Sequence, residues 1–350
     1  MGGEDSPLNS TKASRLGNGA FDAALKTLYA DNSFAPLGLD LAAAGTPVLR
    51  RGQHSCVASR LLGVGMKIDS HQHFWRYEPA RHGWISDEMA VLKRDFLPAD
   101  LNRELQANQI DASIAVQADQ SQGETLFLLD LAQQCPTIAG VVGWVDLCAD
   151  DLREHLESFS RHDKLCGFRH VVQDEPDDRF LLRNSFVRGI AGLREFDFTY
   201  DILIYPRQLP AAIELVAKFP EQPFVIDHMA KPPIKSGEAS AWAGHMREIA
   251  AAPHVFCKLS GMITEADWGH WKEGDFRPYL DIVFEAFTLD RLMFGSDWPV
   301  CLLAGTYGQM KHLIEHYVQN LSNSEKENIF GSNAARFYGV SSPHGLTAHK

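Results

Sequence analysis

From Met66 onward, short runs of apolar and β-branched residues alternate with longer stretches whose apolar positions recur at helical spacing. Eight runs read as strands: Met66 to Phe74, Ala112 to Ala118, Ile138 to Leu147, Leu165 to Val172, Thr199 to Tyr205, Pro223 to Met229, Val255 to Gly261 and Arg291 to Trp298. Between them, Gly123 to Gln134 places Leu128, Leu129 and Ala132 on one stripe, and Leu209 to Phe219 does the same with Ile213, Val216 and Ala217, as amphipathic helices do. Strand-sized runs alternating with helices build βα units and a parallel sheet, and eight of them predict an α/β (β/α)8 TIM barrel over residues 66–342. A doubly wound open sheet is the rival, but no G-x-G-x-x-G or G-x-x-x-x-G-K-[ST] follows any strand.

Residues 1–65 lack this alternation. They read as an N-terminal extension, poorly ordered or preceding the true start at Met66, and residues 343–350 read as a C-terminal tail. Arg50, Arg51 and Arg60 give a faint likeness to a transit peptide, against which the acids Glu4, Asp5, Asp22, Asp31 and Asp40 weigh. Composition fits a soluble globular chain, with 45% hydrophobic and 22% charged residues and no apolar run long enough to span a bilayer. Lys and Arg number 33 against 45 Asp and Glu, and basic residues are not clustered, so neither nucleic acid nor membrane is expected as a partner. The six cysteines form no C-x-x-C pair and read as reduced thiols, which suits a cytoplasmic protein.

In a barrel the chemistry gathers at the carboxyl ends of the strands. The first strand ends with His71 and His73 two residues apart, which turns both imidazoles to one face and lets them share a metal. The eighth closes an apolar run with Asp297, a carboxylate costly to bury unless it is paired or acts as a base. At the sixth, a regular strand would point only one of Asp227 and His228 inward; at the fourth, the same choice falls between Arg169 and His170. The seventh alternates to put Lys258 and Ser260 on one face.

These residues, with Gly140 to Leu147, Gly167 to Asp177, Asp227 to Pro233, Cys257 to Glu265 and Phe294 to Val300, resemble the amidohydrolase superfamily, and within it the sugar-lactonase branch. The resemblance runs from Met66 to about Val340. It implies a metal-dependent-hydrolase type of barrel opening a sugar lactone, of the L-fucono or L-rhamnono kind, to its aldonic acid. Two-metal members carry a bridging Lys or Glu after strand 4 and a His after strand 5; here those ends read Arg169-His170 and Ile204-Tyr205. At most one divalent ion, such as zinc, is therefore implied at His71, His73 and Asp297, and some members of the branch dispense with it. Further implied are Asp297 as the base and His228 as a second proton-transfer partner. Arg169, His170 and Lys258 are the alternative oxyanion donors, Trp75, Trp144 and Trp298 the ring platforms, and Gln173 and Tyr205 the hydroxyl contacts. Positive side chains at the mouth are expected to favour the carboxylate product, in a pathway degrading a deoxy sugar such as L-fucose. Decarboxylation of an aromatic acid, and a barrel that has lost catalysis, are the competing readings.

Overall fold

The computed structural model describes residues 65–341. Apart from Gly65, the extension and the tail lie outside the described residues. Eight parallel strands follow one another in chain order: β1 Ile68–Gln72, β2 Ala112–Val116, β3 Ile138–Gly143, β4 Leu165–Val171, β5 Thr199–Leu203, β6 Phe224–Ile226, β7 Val255–Leu259 and β8 Leu292–Phe294. The ring closes where Asp297 N donates to His71 O (2.8 Å) and His73 N donates to Trp298 O (2.7 Å). The architecture is the (β/α)8 barrel.

Helices cover the outside: α1 Pro98–Ala107, α2 Gln122–Gln134, α3 Leu152–Phe159, α4 Asn184–Glu195, α5 Leu209–Lys218, α6 Ser240–Ala250, α7 Glu273–Phe287 and α8 Tyr307–Tyr317. Two short helices finish the fold, α9 Asn323–Glu327 and α10 Asn333–Tyr338. The large apolar core lies between strands and helices, with Tyr200, Ile202, Phe224, Ile226, Leu292 and Phe294 turned outward into it. A smaller cluster joins Ile68, Ile114, Val142, Val225 and Met293 to Ala334, Ala335, Phe337 and Tyr338 of α10. That helix plugs the amino end of the barrel, and among the described residues the interior opens at the carboxyl end. Among the described residues no helix is long and apolar enough to cross a membrane.

All eight expected strands are present, but several stop short of their expected ends. β6 stops at Ile226 because His228, Met229, Ala230 and Lys231 all take left-handed backbone conformations, with φ between 50° and 54°. Left-handed turns without glycine are costly, on the order of 1–2 kcal/mol per residue, and such strain gathers at functional sites. The regular alternation that would have chosen between Asp227 and His228 therefore does not apply, and both side chains reach the interior.

Candidate active site

Above the apolar plug lies a layer of buried charge. Lys258 Nζ, fully buried, meets Asp201 Oδ2 at 2.6 Å, Asp227 Oδ1 at 2.9 Å and His71 Nδ1 at 3.0 Å. Tyr338 of α10 donates to the same Asp201 oxygen (2.8 Å), and Arg169 Nη1 donates to Asp227 Oδ2 (3.1 Å) and approaches His71 Nε2 (3.2 Å). Burial pushes Asp201 up to about 6 against the pull of Lys258. Burial also works on Asp227, but Lys258, His71 and Arg169 outweigh it and hold that carboxyl well below its ordinary range. Lys258 thus sits beneath His71 as its support, out of reach of anything in the cavity.

On this layer His71, His73, His228 and Asp297 converge. Asp297 Oδ1 lies 3.4 Å from His73 Nε2, 3.8 Å from His71 Nε2 and 3.9 Å from His228 Nε2. Burial raises the Asp297 carboxyl, yet the three imidazoles together hold it well below the ordinary carboxylate range, so it is ionised. His228 is pushed down to about 4, chiefly by burial, and is neutral. Its Nδ1 is 2.9 Å from Ser260 Oγ, and its ring lies against Gly261, where a Cβ would come within 2.4 Å of Nδ1. Asp69 ties the end of β8 to β1 by accepting from Ser296 N, Ser296 Oγ and His71 N; burial lifts its pKa to about 6.

The donor set suits a cation. His73 Nδ1 lies 2.8 Å from Val116 O, a contact that only an N–H can make favourable, so Nε2 is the nitrogen that the neutral ring would offer to a cation. It is 3.2 Å from His71 Nε2 and 3.4 Å from the ionised Asp297. Those two separations are close to the edge of about 3.3 Å expected for tetrahedral zinc with bonds of about 2.0–2.1 Å, and the third, from His71 Nε2 to Asp297 Oδ1, is wider at 3.8 Å. His71, His73 and Asp297 form one group able to hold a metal, and His71, Asp227 and His228 a second that shares His71.

His73, His228 and Asp297 form the floor of a cavity of about 540 Å³ walled by the loops that follow the strands, with His71 buried beneath them. Arg169, Gln173 and Tyr205 line it, and so does Trp75, although that ring is almost wholly packed against Phe96 and Trp84. Trp298 is buried against Phe96 and Phe74, outside the lining. His170 turns away from the cavity, stacked on Phe180 and 2.8 Å from Glu175, and Trp144 Nε1 points to it at 3.4 Å. Of the Arg169 and His170 pair, the inward one is Arg169. Residues not picked out from the sequence also line the wall: Arg81, Trp84, Lys231, Glu265 and Trp268. Asp201 did leave a signal, a carboxylate inside the apolar run of β5.

The expected positive mouth is corrected by the geometry. Among the described residues the cations lining the cavity are Arg81, Arg169 and Lys231, and each faces a carboxylate: Asp119 at 2.8 Å, Asp227 at 3.1 Å and Glu265 at 2.9 Å. Asp174 and Asp297 add further negative charge to the lining.

The amidohydrolase family model matches residues 68–340, nearly the whole described barrel. The chain belongs to the amidohydrolase family. It is 44% identical over 289 residues to an L-fucono-1,5-lactonase of Burkholderia multivorans, an alignment covering 79% of this chain and 97% of that one. An L-fucono-1,5-lactonase of Burkholderia ambifaria is 37% identical over 283 residues, covering 80% and 97%. A crystal structure of a Burkholderia multivorans amidohydrolase with bound zinc is 45% identical, covers 79% of this chain and all of that one, and superposes with a TM-score of 0.76.

Proposed function

We propose that this amidohydrolase is a carboxylic ester hydrolase that opens a sugar-derived 1,5-lactone, L-fucono-1,5-lactone or a close stereochemical relative, to the aldonic acid. The observation carrying this reading is an ionised, buried carboxylate on the floor of a cavity whose cations are all neutralised. Such a cavity suits a neutral cyclic ester and offers an acid no unpaired cation, which favours a lactone over the aromatic carboxylate that a decarboxylase needs. The likeness to two L-fucono-1,5-lactonases supports the sugar.

In this reading Asp297 takes a proton from water as the water oxygen attacks the lactone carbonyl carbon. Arg169, which lines the cavity and reaches to 3.2 Å from His71 Nε2, donates to the developing oxyanion. When the bond from the carbonyl carbon to the ring oxygen breaks, the proton held by Asp297 passes to that oxygen, with the neutral His228 as second proton-transfer partner. The product ionises to a carboxylate, and Asp174 and Asp297 in the wall favour its departure. A divalent cation such as zinc held by His71, His73 and Asp297 would supply Lewis-acid polarisation of an oxygen. Lys258, Asp201 and Asp227 hold His71 in position, and Gln173 and Tyr205 contact hydroxyls. The barrel over 66–342 is the catalytic domain, with 1–65 and 343–350 as appendages. A place in the breakdown of a deoxy sugar such as L-fucose follows from the substrate, and the free thiols of Cys135, Cys148, Cys257 and Cys301 among the described residues support a cytoplasmic setting.

A pH-indicator assay over 1,4- and 1,5-aldonolactones, run beside decarboxylation assays of hydroxybenzoic acids, tests the proposal. Proton release with one or two deoxy-sugar lactones, and intact aromatic acids, is the expected result; the reverse would establish the lyase instead.

A further inference from the structure

The left-handed turn after β6 brings more than His228 to the cavity. In a turn of about three residues, positions i and i+3 lie one above the other, so His228 and Lys231 share a face, and both line the cavity. Lys231 Nζ lies 2.9 Å from Glu265 Oε1, which comes from the turn after β7, and 5.4 Å from the centre of the Tyr205 ring. The pair is half-buried, and the surface it keeps belongs to the cavity wall. An ammonium bound to one carboxylate oxygen has N–H groups to spare, and Glu265 Oε2 accepts no hydrogen bond among the described residues. A donor and an acceptor so placed match two neighbouring hydroxyls, one accepting from Lys231 and the other donating to Glu265. Gln173 lines the same wall.

Building on the lactonase reading, we infer that the Lys231–Glu265 ion pair is the specificity element that reads two adjacent hydroxyls of the lactone ring. A neutral ion pair suits this task better than a lone lysine, because it recognises a polyol without attracting acids. Lys231 and Glu265 take no part in bond breaking and act on substrate selection.

The test crosses protein variants with substrate variants. Wild type, Glu265→Gln and Lys231→Met are each assayed with L-fucono-1,5-lactone and with its 2-deoxy, 3-deoxy and 4-deoxy analogues. In wild type, loss of either of two adjacent hydroxyls lowers kcat/KM roughly 10- to 100-fold, the cost of stranding a buried polar group. In the variants activity on the parent lactone falls by a similar factor, mostly through KM, and the penalty for those two deoxy analogues shrinks to within about threefold, as coupled partners require. Deoxy penalties that persist undiminished in both variants, in an enzyme that still hydrolyses the parent lactone, overturn this inference and leave the lactonase reading standing. A wild-type enzyme that hydrolyses none of the four overturns both. Glu265→Gln, nearly isosteric, keeps the test decisive if Lys231→Met misfolds.

Discussion

At the scale of single residues, the site depends on charges held where water does not reach. His71 and His73 were legible as a strand-end pair, and Asp297 as a carboxylate ending an apolar run. Their support was not: Lys258 and Asp201 meet at 2.6 Å across 57 positions of sequence, a pairing that only barrel closure creates. If His71, His73 and Asp297 hold zinc, elemental analysis of the wild type will find about one equivalent per chain, and the His71→Asn/His73→Asn double variant will hold less than a tenth of that; equal zinc in both would place the metal elsewhere. Glu124, near the start of α2, offers a separate check. Burial lifts it to about 7 from an ordinary 4.5, while Ala118 N–H and Arg81 pull the other way. The folded chain keeps a proton that the unfolded chain releases above about 4.5. The associated stability is therefore full below that pH and lost as pH rises through about 7, by on the order of 3 kcal/mol at most. Glu124→Gln, which cannot titrate, is expected to gain melting temperature relative to wild type between pH 5 and pH 8; parallel curves would contradict the assignment.

At the scale of elements, the strands were legible because burial on both faces makes parallel strands continuous apolar runs. Their ends were not, because Val225-Ile226-Asp227-His228-Met229-Ala230 stays mostly apolar while the backbone leaves the strand after Ile226. Nothing in side-chain pattern announces a left-handed turn built without glycine. Its strain makes an unusual prediction for Ala230, at φ 54° and fully buried. Ala230→Gly removes the steric penalty at the cost of one methyl group, so denaturant unfolding is expected to show a change between zero and a gain of about 1 kcal/mol, where most buried Ala→Gly changes destabilise. Gly261 is the opposite case, at φ 63° with His228 where its Cβ would be. Gly261→Ala is expected to lose about 2 kcal/mol or more and to displace the imidazole, lowering kcat/KM more than tenfold. Wild-type kinetics in that variant would mean His228 is not needed where it stands.

At the scale of the whole molecule, the barrel is stacked along its axis: an apolar plug, a buried layer of alternating charge, then the cavity. The plug is tied to the charge layer by Tyr338, whose hydroxyl donates to Asp201. Tyr338→Phe leaves that carboxylate one donor short and should cost about 1–3 kcal/mol, read as a lowered denaturation midpoint with substrate KM unchanged. The acidic balance of 33 basic to 45 acidic residues turns out to extend into the cavity, where no cation is left without a partner among the described residues. The proposed reaction rests on Asp297 activating water against a neutral lactone. The most direct test is the initial rate of proton release from L-fucono-1,5-lactone by the wild type and by Asp297→Asn, with folding of both verified by circular dichroism. Rapid release by the wild type and a loss of at least about a thousandfold in the variant are expected. A folded Asp297→Asn enzyme working at the wild-type rate would contradict the proposed reaction.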